Sequence, residues 1–365
     1  MSGSPKVRVL VIDDSALMRK LIPGILSRDP EIEIVGTAMD GNFGLKKIEE
    51  LRPDVVTLDL EMPRMDGMET LRQIMRNYRL PVVVVSAHTL NGAAATFHAL
   101  SLGAFDFVPK PFDAAQAKLE GIAEQLISKV KVAARSGVPS TSAMLPENFR
   151  VKKPAQRPHA APHKVVAIGI STGGPNALQY LLAQLPGDFA GALLIVQHMP
   201  EGFTEMFARR LNECCAIEVK EAKSGDLLLA GRALVCPGNR HMRVRQMPLG
   251  KVAVLGDDEK VNGHRPSADV LFESVAHEFG PKAIGLLMTG MGEDGAEALG
   301  LIKSAGGLTV VQDEVSCVVF GMPKAAIERG HAMRVVSLDA LANLLIRYCS
   351  APAAQVSRAE VVADA

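Results

Sequence analysis

The chain has no net charge: 40 Lys and Arg balance 40 Asp and Glu across 365 residues. Without a global positive field, neither nucleic acid nor an anionic membrane surface is favoured as a partner. No apolar run approaches the ~20 residues that a spanning helix needs, so membrane insertion is not expected. The first apolar run, in "MSGSPKVRVLVIDDS", is short and ends in acids, unlike a signal peptide. A cytoplasmic protein is therefore expected. Cysteines are few and odd in number, five without C-x-x-C spacing, which reads as reduced, mostly buried thiols rather than a disulfide framework. His159 and His163 have a metal-like spacing but no carboxylate or thiol beside them, as a closed metal site requires. One basic cluster, Arg150, Lys152, Lys153 and Arg157, lies among prolines and reads as solvated chain rather than a binding patch.

What is present is alternation, twice over. The apolar runs "VRVLVI", "EIEIVGTA", "VVTLDL", "PVVVVSA" and "FDFVPK" each precede a stretch of helical periodicity. Such βα units imply a parallel sheet covered by helices on both faces over residues 6–130. Residues 131–162 carry Pro139, Pro146, Pro154, Pro158 and Pro162 without sustained periodicity, the composition of a semi-rigid linker. A second series, "KVVAIGI", "ALLIVQ", "IEVKEA", "AIGLLMT" and "LTVVQ", fills residues 163–349. It predicts a mostly parallel, doubly wound α/β domain. "HMRVRQMPLGKVAVL" reads as an antiparallel hairpin turning at Pro248-Leu249-Gly250. Residues 350–365 offer no partner face and are expected to be disordered.

Ligands of an open parallel sheet bind at the carboxyl ends of its strands. In the first series those ends carry Asp13 and Asp14, then Asp59, Ser86 and Lys110. Converging carboxylates repel one another unless a divalent cation joins them, and an all-oxygen site of few protein ligands suits Mg²⁺. A lysine and a hydroxyl at the rim would stabilise anionic oxygens, as phosphoryl transfer to a carboxylate requires.

These residues, in "LVIDDS", "DVVTLDLEMPRMDG", "VVSA" and "VPKPF", resemble the receiver domain of two-component response regulators over essentially all of residues 6–130. The resemblance implies a five-stranded flavodoxin-like fold with Asp59 as phospho-acceptor and a histidine kinase as phosphodonor. It implies Mg²⁺ on Asp14, Asp59 and the backbone of Glu61, with Asp13 in support. It also implies Ser86 and Lys110 on the phosphoryl group, and a cis peptide at Lys110-Pro111. Phe107 stands where many receivers carry a switching tyrosine, so no ring hydroxyl acts there.

The second series opens on "IGISTGGP". Against the dinucleotide fingerprint it reads Gly169-x-Ser171-x-x-Gly174, with serine where backbone must approach a pyrophosphate. The next strand ends in Gln197-His198 rather than the acid that would hold a ribose. The same residues fit G-x-S-x-G, a nucleophile elbow. His198 and Asp294 also follow strands, which brings serine, imidazole and carboxylate to one sheet edge. Their order, Ser–His–Asp, differs from the Ser–Asp–His of α/β-hydrolases. His264 and His241 are rival bases, Glu293 a rival acid, and Asp294 could instead cap the helix starting near Ala296.

Residues 163–349, through "IGISTGGP", "VQHMP", "CPGNRHM", "HRPSADVLF", "LMTGMGEDGA" and "AGGLTVVQDEVSCVVFGMPKAA", resemble the catalytic domain of the chemotaxis protein-glutamate methylesterase and glutamine deamidase family. The resemblance implies Ser171 as nucleophile, His198 as general base and Asp294 as its orienting acid. Thr172 and the backbone of Met291 would be helpers around the oxyanion. It implies methyl-accepting chemoreceptors as substrates and no cofactor for the ester reaction. The competing class is a response regulator whose second domain only binds a partner. It would need none of the three catalytic residue types.

Overall fold

Val82, Val83, Val84 and Val85 are apolar on both faces of one strand, and only a sheet covered on both sides buries such a run. In the computed structural model, which describes residues 5–63, 65–87, 90–110, 116–137 and 160–350, this strand lies within a five-stranded parallel sheet. The elements run β1 (Val7–Ile12), α1 (Met18–Leu26), β2 (Ile32–Ala38), α2 (Gly41–Leu51), β3 (Val55–Leu58), α3 (Gly67–Gln73), β4 (Val82–Ser86), α4 (Leu90–Ser101), β5 (Asp106–Pro109) and α5 (Gln116–Ser136). Strand order is β2-β1-β3-β4-β5. The order reverses between β1 and β3, and that reversal opens a crevice at their carboxyl ends. α5 runs past residue 130, into the stretch read as linker. The tail, most of the linker and Pro111, hence the expected cis bond at Lys110-Pro111, lie outside the described residues.

The second half continues with β6 (Val165–Ile170), α6 (Gly174–Ala183), β7 (Ala192–Gln197), α7 (Phe203–Cys214), β8 (Glu218–Glu221), β9 (Arg232–Val235), β10 (His241–Met247) and β11 (Gly250–Gly256). It closes with α8 (Ala268–Phe279), β12 (Ala283–Leu287), α9 (Ala296–Ser304), β13 (Leu308–Gln312), α10 (Met322–Glu328), β14 (Arg334–Val336) and α11 (Leu338–Cys349). Seven of these strands form one sheet in the order β14-β13-β12-β6-β7-β9-β8, every pairing parallel. The hairpin β10-β11 is a separate two-stranded sheet. Its apolar face, Met242, Val244 and Ala253, packs into the cluster that holds Leu271, Phe272 and Val275 of α8. β9 and β14 went unread in the sequence because "RALV" and "RVV" are too short to show a period.

The two halves meet through aromatic rings. Phe107 of β5 stacks on Phe203 of α7 with centroids 4.8 Å apart, and Phe97 of α4 stacks on Phe207 at 5.3 Å. Asn176 Nδ2 on α6 donates to the carbonyl of Leu100 on α4. Val318 and Val319 pack against the cluster built from β1, α1 and α5.

Candidate active site

The crevice between β1 and β3 gathers the N-terminal acids. Asp13 and Asp59 are buried and Asp14 is exposed, and one oxygen from each lies within 4.8 Å of the others. Lys110 Nζ, at the end of β5, donates to Asp59 Oδ2 at 2.6 Å and sits 3.4 Å from Asp13 Oδ2. Asp59 Oδ1 accepts from the backbone N–H of Glu61. Burial pushes the Asp59 carboxyl up to about 6, against the pull of Lys110. Burial raises Asp13 as well, and its Oδ2 has no hydrogen-bond donor among the described residues. A divalent cation with ligands at about 2.1 Å has opposite oxygens about 4.2 Å apart, so these residues fit a hard cation. The Ser86 carbonyl accepts from the Lys110 backbone N–H at 2.7 Å, but the Ser86 hydroxyl makes no described hydrogen bond to Lys110 or Asp59. That hydroxyl donates to the Gly92 carbonyl and accepts from Thr96 Oγ1 on α4 at 2.6 Å.

The C-terminal sheet reverses between β12 and β6, and Ser171 follows β6 directly. The turn is held from three sides. Ser171 N–H donates to the Thr289 carbonyl, Thr289 Oγ1 donates to the Thr172 carbonyl, and Gln197 Nε2 donates to the Ser171 carbonyl. Thus Gln197, standing where a ribose-binding acid would be, fixes the elbow instead. Gly173 has φ +76°, and a side chain there would press on Val318; a Cβ on Gly290 would lie 2.8 Å from that of Ser171. Thr172 is buried and Met291 exposed.

His198, at the end of β7, donates from Nε2 to Asp294 Oδ2 at 2.8 Å. A carboxylate can only accept, so a proton is on Nε2, and in the neutral ring Nδ1 keeps its lone pair. Nδ1 is buried with no hydrogen-bond partner among the described residues. Asp294 also accepts from Ser267 Oγ at 2.6 Å, Ala268 N–H at 2.6 Å and Asn262 Nδ2 at 3.2 Å. Burial alone would raise its carboxyl; the hydrogen bond and charge of His198, then Ser267 and Ala268, hold it well below the usual range. The carboxylate does cap a helix, but that helix is α8, not the α9 that follows it in sequence.

The rivals fall elsewhere. His241 is fully buried; its Nδ1 accepts from Ser267 N–H, so Nε2 donates to the Glu259 carbonyl. Glu293 pairs with Arg329 on the surface. His264 lies against His198, rings parallel within 6° and 3.8 Å apart. Ser267, Asn262, Thr289 and Gln197 were not singled out in the sequence. Only Ser267 carried a signal, a serine just before an apolar helical run, and it is spent on Asp294 rather than on its own helix.

Comparison with known proteins agrees with this geometry. Residues 166–345 match the CheB methylesterase family, and residues 9–120 match the response regulator receiver domain. A curated protein-glutamate methylesterase/protein-glutamine glutaminase 2 of Koribacter versatilis is 67% identical over 346 residues, covering 93% of this chain and 95% of its own. The chain belongs to the CheB methylesterase family. A protein-glutamate methylesterase/protein-glutamine glutaminase of Halalkalibacterium halodurans is 44% identical over 94% of this chain and 99% of its own. The crystal structure of the Thermotoga maritima CheB methylesterase catalytic domain superposes with TM-score 0.50 at 36% identity, covering 51% of this chain and 99% of that one. The CheB methylesterase match contains Ser171, His198 and Asp294, and the receiver match contains all the N-terminal acids, Ser86 and Lys110. A receiver implies control by phosphorylation. Among the described residues, no helix is long and apolar enough to cross a membrane.

Proposed function

We propose that this chain is a phosphorylation-controlled protein-glutamate methylesterase and protein-glutamine deamidase acting in the cytoplasm on the helices of chemoreceptors. The observation that carries the reading is the His198–Asp294 hydrogen bond beside the Ser171 elbow, at the reversal point of the sheet. The curated relatives bear both activities in their names. Ser171 Oγ attacks the ester carbonyl while its proton passes to His198 Nδ1. Thr172 and the Met291 backbone flank the oxyanion. Collapse breaks the C–OCH₃ bond, and His198 returns the proton to the departing methanol. Water, deprotonated by the same nitrogen, then frees the glutamate carboxylate and the serine. On a glutamine side chain the leaving group is ammonia. An output domain that only binds is not favoured, since it has no use for these three groups at one edge.

On the receiver, Asp59 is the phospho-acceptor for a histidine kinase, with Ser86 and Lys110 contacting the phosphoryl oxygens. Mg²⁺ held by Asp13, Asp14, Asp59 and the Glu61 backbone would add positive charge to that of Lys110 against the three carboxylates. Ser86 is tied to Thr96 on α4, whose next residue, Phe97, stacks on α7. Recruiting Ser86 to a phosphoryl group removes that tie and loosens the receiver from the catalytic half. The docked receiver also reaches the active-site rim, where Ser128 on α5 donates to Met291 Sδ. Methanol release from methylated receptor membranes tests the reading: it should occur and rise with a phosphodonor. A wild-type protein that releases none would end the proposal.

A further inference from the structure

Residues 261–264, "VNGH", form a tight turn. Val261 and His264 exchange both backbone hydrogen bonds, and the central pair Asn262 and Gly263 have φ +51° and +76°. An Asn-Gly pair in this conformation is the sequence choice for a two-residue reversal. The next residue is pinned as firmly. Arg265 donates to the carbonyls of Asp257 and Asp258 and, from Nε and Nη2, to Asn239 Oδ1. Six hydrogen bonds, four from the Arg265 side chain and two across the turn, therefore define the position of a segment that looks, from sequence, like a loop. Such over-determination needs a purpose, and the neighbours supply one. Asn262 and Ser267 both donate to Asp294, and the His264 ring lies flat on His198.

We propose that the segment 262–268 is a clamp for the catalytic pair, with His264 as a positioning wall for the His198 ring and Ser267 as a positioning donor for the Asp294 carboxylate. The inference rests on the esterase reading above and names what aims its base. An imidazole bonded at one nitrogen can still swing about that bond; a parallel ring at 3.8 Å removes the swing. With Nε2 tied to Asp294, the wall leaves Nδ1 as the only nitrogen available to Ser171. The wall must also stay uncharged as His198 becomes imidazolium. His198, Asp294 and Lys260 face His264, and burial, then the His198 charge, push its imidazole down to about 4. At neutral pH it presents a π-face, not a second cation, to the imidazolium.

The test uses the full chain, with Ser171→Ala as the inactive reference. His264→Phe keeps a flat ring and should keep kcat within about threefold of wild type, with an unaltered pH profile. His264→Ala and Ser267→Ala should each lower kcat roughly ten- to hundredfold with KM little changed, as misplacement of a reacting group does. Ser267→Thr should restore most of the loss. The downfield Nε2–H resonance of His198, which needs no substrate, should persist in Ser171→Ala and His264→Phe and fade in His264→Ala and Ser267→Ala. Thermal unfolding checks that each variant folds. The clamp is refuted if His264→Ala and Ser267→Ala leave both kcat and the resonance as in wild type. It is equally refuted if His264→Phe is as inactive as Ser171→Ala, since the imidazole would then carry protons. Should the wild type release no methanol, the esterase reading falls, and the resonance alone decides the clamp.

Discussion

Asp59 and Asp294 are both strand-end carboxylates that are 1% exposed, yet their surroundings drive them apart. Burial favours the neutral acid in each case. Around Asp59 it wins, lifting the carboxyl to about 6, because Lys110 offsets burial only in part and Asp13 adds repulsion. Around Asp294 it loses, because an imidazole, a hydroxyl and a helix N-terminal amide all aim at one carboxylate. The catalytic acid is complete within the chain. The Asp59 carboxylate has fewer donors fixed within the chain, and under the proposed function a cation and a phosphoryl group would add to its surroundings. A site built to act and a site built to respond differ here in how many donors are fixed in advance.

The sharpest way to break this contrast is to remove the pre-formed side. Ser171→Ala should abolish methanol release while preserving the fold, and His198→Gln should be comparably inactive; activity within tenfold of wild type would sink either role. Asp294→Asn should cost about 10⁴-fold in kcat, the scale seen when a triad acid loses its charge. Asp294→Ala should also lower stability by about 1–3 kcal/mol, because the Ser267 hydroxyl and Ala268 amide would be buried without an acceptor. Denaturant titration reads that second effect. No equivalent penalty attends Asp59→Asn, since the amide keeps a side-chain oxygen that can accept from Lys110 Nζ.

Both sheets and both sets of chemical residues were legible in the sequence because parallel sheets bury continuous apolar runs and place chemistry at strand ends. Convergence on one sheet edge favoured Ser171, His198 and Asp294 over their rivals, and the structure joins His198 to Asp294 by a hydrogen bond. What stayed hidden was the support. Ser267, Asn262 and His264 reach the triad from the segment before α8, about 30 residues from Asp294 and far more from His198 in the chain. Thr289 and Gln197 hold the elbow through backbone carbonyls, which leave no periodic trace. The aromatic contact between the halves was equally silent, since Phe97 and Phe203 look like ordinary core residues on their own helices.

A second test joins the two acids. Residues 163–365 alone should hydrolyse receptor esters about 5–150-fold faster than the unphosphorylated full chain, the range of a coupling of ~1–3 kcal/mol. Asp59→Asn should hold the full chain in its slow state whatever phosphodonor is added. A fragment no faster than the full chain would mean that the receiver activates or recruits rather than occludes. The third test concerns completeness. Saturating Mg²⁺, at about 100 times its Kd, should stabilise the full chain by about 2.7 kcal/mol, read as a higher Tm. Asp14→Asn should remove most of that rise, and a chelator should leave hydrolysis by residues 163–365 unchanged.

The smallest expected effect lies in the pH dependence of stability, and it separates the two regions by sign. His264 is displaced from its ordinary 6.5 to about 4, by burial first and the His198 charge second. Between those values the unfolded chain binds a proton that the folded chain refuses. The contribution is therefore fully present above pH 6.5 and is lost as pH falls toward 4, with a slope of at most about 1.4 kcal/mol per pH unit. Asp59, raised from 3.8 to about 6, pulls the other way: there the folded chain holds the extra proton, so its contribution grows as pH falls through the same window. Asp294 adds no slope there, since its carboxylate is ionised in both states until pH drops below about 4. Comparing wild type with His264→Phe cancels the Asp59 contribution, which both proteins share. Urea unfolding from pH 7 to pH 5 should show wild type losing stability relative to the variant. If the two curves stay parallel, His264 titrates normally in the folded protein, and the apolar wall beside the catalytic base is in fact a wet one.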